Sequence, residues 1–476
     1  SSTTKKLVFL HFKTVIMTHR IEKDTIGSVK VPNDKYWGAQ TERATKNFNI
    51  GKYTIPQEII SALAETKKAA AYANCDLAVL SQEKRDLIAT VCDEITNGDL
   101  TEHFPLTIWE TGSGTQSNMN MNEVIANRGE VVRGGVLNGE KTFLSPNDDV
   151  NLSQSTNDVF PTAVRVAVTK VIKNHTLPSL NLCLETLEKK VEEFKDIIKV
   201  GRTHLRDATP MTLGQEFATF HSQITYGVQA LKRSLPHLTE LPLGGTAIGT
   251  GLTAPKNFDS LAVQYLNQFT EENFTVSKHK FEAIASHDAM VEVSGALKQI
   301  AVSLAKMSND IRLLSSGPRG GINELIIPAN EPGSSIMPGK VNPTQCEALS
   351  IVCCQIIGND STITLGAMQG HLQLNVFMPL IGNCLLESAQ LMGDIARNFT
   401  LRCLAGLTAN REQIEKNLEN SLMLVTALNP HIGYYKAAEI AQYAFDKNIS
   451  LKEAAKKLKI LTEDEFNRFV VPKKMV

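Results

Sequence analysis

Four segments of the sequence concentrate small hydrogen-bonding residues, the types best suited to binding a small polar substrate. Serine, threonine and asparagine supply neutral donors, and Arg202, Arg206 and Lys340 add positive charge. Near helix starts, such donors and the backbone N–H groups bind small anions. Because each segment holds only one or two acids, we expect a substrate that carries carboxylates. The same residue types are also typical of turns and helix N-caps, which is the simpler interpretation of any single segment. The segments are 111–123 (TGSGTQSNMNMNE), 153–162 (SQSTNDVFPT), 201–216 (GRTHLRDATPMTLGQE) and 333–347 (GSSIMPGKVNPTQCE).

The last of these segments holds the residue types that acid–base chemistry needs. Ser334 lies in a glycine-bounded loop, and a serine removes a proton only where neighbouring N–H groups or cations stabilise its anion. Lys340 can hold a substrate carboxylate and stabilise negative charge that develops on it. Glu347 can orient a histidine, and we pair it with His204, whose sequence neighbours are unusually polar. Most of the 11 histidines lack such neighbours and are expected to be structural.

Two stretches are similar to nucleotide-binding loops but lack required residues. At 112–115 the third glycine of a dinucleotide loop is missing, and no strand–helix–strand pattern surrounds it. At 333–341 five residues separate the two glycines, and Val341 stands where a phosphate-binding loop needs serine or threonine. Both nucleotide interpretations are therefore disfavoured.

The overall composition excludes several classes of protein. The 476 residues carry 49 Lys and Arg against 50 Asp and Glu, a net charge of -1, which argues against nucleic acid or an anionic membrane surface as the main partner. Hydrophobic residues make up 42% and charged residues 21%, as in ordinary globular proteins. The 8 cysteines form no CxxC or zinc-type spacing, so we expect reduced thiols. No uninterrupted apolar run reaches the roughly 18 residues that cross a bilayer.

Apolar residues spaced by three and four predict a mainly α protein. Several of these stripes continue for many turns without a helix breaker, which predicts a central bundle of long helices. The stripes cover 55–99, 180–198, 212–235, 284–314, 344–367 and 377–403, and a short strand is predicted at 29–32. We divide the chain into an N-terminal extension (1–20), a mixed, mostly helical domain (21–154), a long-helix bundle domain (155–409) and a small helical C-terminal domain (410–476).

The motif GSSIMPGKVNP at 333–343 closely resembles the signature of the fumarase/aspartase superfamily. TGSGTQSNMN, GRTHLRDATP and GGTAIGTGL (244–252) are similar to other regions of that superfamily, and the similarity runs from about Ile21 to Val471. The resemblance implies a three-domain, mainly α chain whose long helices form the core of a homotetramer, with each active site shared by three subunits. It implies reversible addition of water to fumarate, giving L-malate, through a carbanion held as an aci-carboxylate, without metal or cofactor.

The same resemblance implies a role for each motif residue. Ser334 matches the base that acts at carbon, His204 the residue that activates water, and Glu347 its carboxylate partner; Lys340 and Asn342 complete the catalytic set. The residues that match substrate contacts are Ser113, Gly114, Thr115, Asn118, Ser155, Thr156, Asn157, Thr203, Ser335, Lys340, Val341 and Asn342. The residues that match a second, nearby anion site are Ser145, Pro146, Asn147 and Asp148.

Three positions depart from the pattern of the fumarase branch. Ser145 stands where the second anion site usually has histidine, which predicts weaker anion binding there. Thr156 replaces a serine but keeps the hydroxyl group, as in the aspartase branch. Arg206 replaces a glutamine and adds positive charge close to His204.

Two alternatives stay open from the sequence. Aspartate ammonia-lyase, of the same superfamily, is favoured by Thr156 but disfavoured by His204, where the aspartase branch has glutamine, and by Gly245. A non-catalytic scaffold of the same fold is disfavoured because Ser334, Lys340 and the other catalytic types are all present. We expect no nucleic acid or membrane partner.

The first 20 residues contain four basic residues and no acid. That composition is typical of a mitochondrial presequence, but it is poor in arginine, and a tag or a start at Met17 fits as well. The expected location is therefore the mitochondrial matrix or the cytoplasm.

Overall fold

The computed structural model of the chain describes residues 18–476. Residues 1–17, and with them most of the expected N-terminal extension, lie outside the described residues. The described chain is mainly α, as predicted, with seventeen α-helices and only short two-stranded pairings. The helices are α1 Ala39–Asn47, α2 Gln57–Asp76, α3 Gln82–Thr96, α4 Thr115–Val132, α5 Thr156–Val171, α6 Leu177–Glu193, α7 Leu213–Leu238, α8 Phe258–Thr270, α9 Lys280–Ala285, α10 Asp288–Leu314, α11 Thr344–Ala367, α12 Met378–Phe399, α13 Arg411–Asn420, α14 Asn429–Ile432, α15 Tyr434–Lys447, α16 Leu451–Lys457 and α17 Glu463–Phe469.

The strands pair in four separate two-stranded units. Three pairings are antiparallel and one, β5 with β6, is parallel. The predicted strand at 29–32 is confirmed as β2. The strands are β1 His19–Lys23 with β2 Ser28–Pro32, β3 Ile198–Thr203 with β4 Arg206–Thr212, β5 Glu240–Leu241 with β6 Thr275–Val276, and β7 Leu325–Ile326 with β8 Thr408–Ala409.

The chain forms two compact units. The first contains residues up to Val168 together with His237–Met290 and Thr364–Asn383, and the second contains Thr169–Pro236, Val291–Ile363 and Cys384–Val476. The boundaries between these units fall within the long helices α5, α7, α10, α11 and α12. The division at 154 and 409 that the sequence suggested stays a prediction.

In the first unit, helix α2 carries part of the apolar stripe predicted at 55–99. Ile59, Leu63 and Ala70 lie on one face and are buried. Ile59 and Leu63 line an apolar pocket together with Met121 of α4 and Phe160 of α5. Lys67, four residues after Leu63, lies on this same buried face. A lysine is unusual on such a stripe, because its buried amino group must find a hydrogen-bond partner within the fold.

The predicted stripe 180–198 is wrong at its C-terminal end. Helix α6 ends at Glu193, and Ile198 opens strand β3 instead of continuing the helix. Phe194 caps the helix and packs edge-on against Phe217, with ring centroids 5.1 Å apart. The backbone of β3 then bonds to β4, so tertiary pairing overrides the four-residue spacing of apolar residues.

Within the second unit, the C-terminal helices α13–α17 confirm the predicted helical tail after 410. Helices α16 and α17 each begin with a capping box, formed by Ser450 with Glu453 and by Thr462 with Glu465. Leu428, which directly precedes α14, Ile440 of α15 and other apolar side chains of this region form a hydrophobic core of their own.

Helix α11 is the one helix of the described chain long and apolar enough to cross a membrane, with a mean hydropathy of 1.3 over its best 18 residues. Only 33% of that window is buried. The helix nevertheless carries Glu347 and Asp360, and Asp360 accepts hydrogen bonds from Ser294 at 2.7 Å and Lys298 at 2.6 Å. These polar partners favour a helix that packs against protein, as core helices of long-helix bundles do.

Candidate active site

In the first unit, the TGSGT loop bends sharply into the start of α4. A Cβ at Gly112 would lie 1.3 Å from the carbonyl oxygen of Val376, and Gly114 has φ +78, so only glycine fits either position. The Gly114 N–H bonds to the Thr111 carbonyl at 2.8 Å, and the Ser113 and Thr115 hydroxyls lie 2.9 Å apart. This places two hydroxyls at the positive end of an 18-residue helix, an arrangement suited to a carboxylate.

The start of α5 brings Ser155, Thr156 and Asn157 to a fixed position through a buried carboxylate. Asp158 accepts hydrogen bonds from the Ser155 N–H at 2.9 Å and from the N–H groups of Gly244 and Thr246 at 2.9 and 3.0 Å. Burial raises the pKa of Asp158 to about 6, against the opposing effect of these three bonds. The GGTAIG segment therefore folds onto α5 through Asp158, a residue that the sequence analysis did not single out.

Asn118 and Thr156 belong to a buried hydrogen-bond chain in the same unit. Asn118 Nδ2 donates to Thr156 Oγ1 at 3.0 Å and to Asn151 Oδ1 at 3.1 Å. Asn151 Oδ1 also accepts from Asn122 Nδ2 at 3.2 Å and from Lys67 Nζ at 2.9 Å. Two residues expected to bind substrate are thus held by residues that the sequence analysis missed. The missed signal was a lysine on the buried stripe of α2.

The residues of the expected second anion site begin a helical turn at 146–150. Ser145 Oγ accepts from the Asp148 N–H at 3.1 Å and donates to the Asp148 carboxylate at 2.8 Å. Ser145, Pro146 and Asn147 line a cavity of about 830 Å³. Its wall carries more carboxylates than ammonium groups, which opposes the binding of an anion there. The charged lining residues are Glu22, Asp24, Glu123, Glu130 and Glu140, with Lys23 and Lys141.

In the second unit, His204 lies at the tip of the β3–β4 hairpin and is exposed. It shares a two-residue turn with Leu205, and both residues have positive φ, 54° and 58°. Such turns usually use Asn-Gly or Gly-Gly, because a side chain is strained in this conformation. Thr203 and Arg206, which flank the turn, are exposed as well. The backbone of His204 is therefore strained, and its side chain is exposed at the tip of the hairpin.

Buried ion pairs hold strand β3 of this hairpin, up to the residue pair next to the turn. Arg202 bonds to both carboxylate oxygens of Glu324, at 3.1 and 2.7 Å, and Lys199 Nζ lies 3.3 Å from the same carboxylate. Burial alone would raise the pKa of Glu324, but the Arg202 bond and the Lys199 charge bring it below its usual value. Asn417 Nδ2 adds a further bond to Glu324 at 3.0 Å. Strand β3 is thus held in place by ion pairs close to the turn, although the turn itself is exposed.

The signature loop closes on itself at its two ends. The Gly333 N–H bonds to the Lys340 carbonyl at 2.8 Å, and Asn342 Nδ2 donates to the Gly333 carbonyl at 2.6 Å. Ser334 Oγ accepts the N–H groups of Ile336 and Met337 at 3.2 and 2.9 Å. These are the neighbouring N–H donors that a serine base requires.

The other residues of the loop face outward. Ser334, Lys340 and Val341 line a cavity of about 460 Å³. Ser335, Lys340, Val341 and, in the first turn of α11, Glu347 are exposed. Within residues 18–476, no hydrogen bond joins His204 to Glu347 or to Ser334, so the expected histidine–carboxylate pairing stays a prediction. In the described residues no three His, Cys, Asp or Glu side chains are grouped to hold a metal ion.

Comparison with known proteins gives matches over almost the whole chain. The lyase family model matches residues 27–358, and the fumarase C C-terminus model matches residues 424–476. The chain is 56% identical to a class II fumarate hydratase of Haemophilus ducreyi over 461 residues, covering 97% of this chain and 99% of that protein. It is 51% identical to a class II fumarate hydratase of Helicobacter pylori over 460 residues, with the same coverage.

Solved structures agree with these sequence matches. The class II fumarase of Schistosoma mansoni matches with a TM-score of 0.93 at 43% identity, covering 96% of this chain and 99% of that chain. A fumarate lyase:delta crystallin of Brucella melitensis matches with a TM-score of 0.91, also at 43% identity, with the same coverage. The superfamily that the signature loop suggested is confirmed, and the chain belongs to the class II fumarate hydratase family.

Proposed function

We propose that this chain is a hydro-lyase that catalyses the reversible hydration of fumarate to L-malate. The observation that carries the proposal is the identity of 51–57% with proteins named class II fumarate hydratase over 97% of the chain. Three of the four donor-rich segments, 111–123, 333–347 and 201–216, supply what a dicarboxylate substrate needs: hydroxyls at a helix N-terminus, an exposed lysine and a histidine.

In the dehydration direction, Ser334 Oγ takes the proton from the carbon next to a carboxylate of L-malate. The N–H groups of Ile336 and Met337 stabilise negative charge on that oxygen. The electron pair left on carbon moves into the adjacent carboxylate, which becomes an aci-carboxylate dianion, and Lys340 stabilises it. His204 donates a proton to the leaving hydroxyl, so that water departs and the double bond of fumarate forms.

The amide of Asn342 makes a structural contact within the loop, beside the substrate contact expected of it. Its Nδ2 is held by the Gly333 carbonyl at 2.6 Å, so this group closes the loop that carries Ser334. Its Oδ1 is left for other partners. We propose that Asn342 acts chiefly by holding the loop in shape.

The proposed enzyme is a homotetramer in which three subunits supply each active site. Two observations support this assembly: His204 and Glu347 are exposed in the single chain, and α11 presents apolar side chains, such as Ile351 and Leu365, that are 69% and 59% exposed. Packing α11 against the same helix of other subunits would bury that apolar surface.

We propose a cytoplasmic location, since the curated relatives named above are bacterial proteins. The mitochondrial alternative rested on the composition of the first 20 residues and has no support from these relatives.

A pair of ultraviolet assays on the purified chain tests the reaction. One cuvette holds L-malate and the other L-aspartate, and the appearance of the fumarate double bond is followed in both. Signal from L-malate alone supports the proposal. Signal from L-aspartate alone would assign the chain to the ammonia-lyase alternative, and silence in both from a folded tetramer would favour the scaffold alternative.

A further inference from the structure

Lys67 is a fully buried lysine that makes its hydrogen bond to an amide. Its Nζ donates to Asn151 Oδ1 at 2.9 Å, in the first compact unit. Two turns further along α2, Asn74 Nδ2 donates to the Leu152 carbonyl at 2.9 Å. Helix α2 therefore holds the segment before α5 at two points, and Lys67 is the point that hydrogen bonds link to Asn118 and Thr156.

The hydrogen bond from Lys67 helps to set the direction of the bonds that follow it. Lys67 Nζ donates to Asn151, so the Asn151 side chain turns its oxygen toward Lys67, and its Nδ2 donates to the Gln154 carbonyl at 3.2 Å. The same oxygen accepts from Asn122 at 3.2 Å and from Asn118, whose Nδ2 is turned toward Asn151 at 3.1 Å. The second hydrogen of the same Nδ2 goes to Thr156 Oγ1 at 3.0 Å.

The bond from Asn118 determines where the Thr156 hydroxyl can donate its hydrogen. Because its oxygen accepts from Asn118, its own hydrogen must be donated elsewhere. A substrate carboxylate is an acceptor, whereas an amide turned the other way would take that hydrogen for itself. The direction of the chain therefore decides whether Thr156 can donate to the substrate.

We infer that Lys67 is a positioning residue: through Asn151 and Asn118 it orients the Thr156 hydroxyl as a donor to a carboxylate of the dicarboxylate substrate. This inference rests on the proposed function and adds to it a residue outside the four motifs. Lys67 itself does not touch the substrate.

A double-mutant cycle tests the inference. Lys67→Met removes the ammonium group with little change in shape, and Thr156→Val removes the hydroxyl. We expect each substitution to raise the KM for fumarate about tenfold, as for one lost hydrogen bond to a charged group, with a smaller change in kcat. If Lys67 acts through Thr156, the KM of the double variant should also be about tenfold above that of the wild type. A hundredfold rise, or an unchanged KM in Lys67→Met, would overturn the inference.

A matched control separates positioning from stability. Lys190 is also a buried lysine, and it donates to the Leu407 carbonyl at 2.7 Å. Lys190→Met also removes a buried amino group, and it should leave KM unchanged. Equal KM changes in both variants would show that only stability was affected and would contradict the inference.

A second pair of variants covers the case in which Lys67→Met does not fold. Asn151→Asp keeps an acceptor for Lys67 and Asn118 but loses the bond to the Gln154 carbonyl, whereas Asn151→Leu loses both. We expect a smaller rise in KM in the first than the tenfold rise in the second, and equal values in the two would overturn the inference. Wild-type protein that turns over neither fumarate nor L-malate would instead contradict the proposed function, so the two failures are distinguishable.

Discussion

Arg202 and Glu324 form a two-bond ion pair, at 3.1 and 2.7 Å, that joins strand β3 to the residue just before β7. The Glu324 side chain is fully buried, and Arg202 is largely buried. Arg202 pairs with Asp207 in the hairpin, one residue pair before the turn that carries His204. A buried ion pair and an exposed histidine are thus only two positions apart in β3 and its turn.

Arg202→Gln should destabilise the protein and slow turnover together. The substitution leaves the buried Glu324 with Lys199 and Asn417 as partners, so we expect a loss of about 2 kcal/mol in the free energy of unfolding. A loosened hairpin should also lower kcat. Denaturant unfolding and steady-state kinetics measure the two effects, and unchanged kcat in a destabilised variant would show that the Arg202–Glu324 pair does not position His204.

Replacing both residues of the hairpin turn, His204 and Leu205, should raise stability and lower activity. His204 and Leu205 both have positive φ, and Leu205 is 75% exposed, so it contributes little packing. Leu205→Gly should raise Tm by relieving strain of about 1 kcal/mol, with activity largely kept. Adding His204→Asn, which gives a preferred turn sequence, should keep that stability while lowering kcat about 100-fold or more. Wild-type kcat in the double variant would remove His204 from the proposed mechanism.

Two adjacent serines should respond differently to substitution. Ser334 Oγ accepts two backbone N–H groups, whereas Ser335 is exposed beside it. Ser334→Ala should lower kcat by orders of magnitude because the base is lost. Ser335→Ala should chiefly raise KM, since its expected role is to bind a carboxylate. Size-exclusion chromatography checks that both variants keep the wild-type assembly, and similar kcat values in the two would reject Ser334 as the base.

Burial of Lys67 should make stability rise with pH on the alkaline side. Burial lowers the pKa of Lys67 to about 7 in the folded chain, against the attraction of Asp158, while the unfolded value is near 10.5. Between these values the unfolded state binds more protons, so the free energy of unfolding increases with pH by up to about 1.4 kcal/mol per unit.

The same argument predicts that Lys67→Met removes this rise. Between pH 7 and pH 9, the free energy of unfolding should increase more in the wild type than in the variant. Both proteins are measured at the same concentration. Cys92, the other titratable group that acts on Lys67, stays a protonated thiol over this range because burial raises its pKa. Parallel pH profiles for the two proteins would exclude Lys67 as the cause.

Much of the architecture follows from local pattern. The three- and four-residue spacing of apolar side chains predicts α2, α3, α7, α10, α11 and α12, because burying one face of a helix requires that spacing. The prediction is wrong at Ile198, where the same spacing fits both a helix and a strand. There the partner strand β4, contributed by residues 206–212, decides between them.

The types of the site residues were also predictable, but their geometry was not. Ser334 and His204 are recognisable from their motifs, since the chemistry needs those side chains in glycine-bounded polar segments. The sequence alone does not reveal that Glu324 anchors the His204 hairpin, or that Lys67 reaches Asn151, 84 residues further along the chain. Hydrogen-bond partners distant in sequence meet only when helices pack, because burial removes water and each polar group must then find an acceptor or donor within the fold.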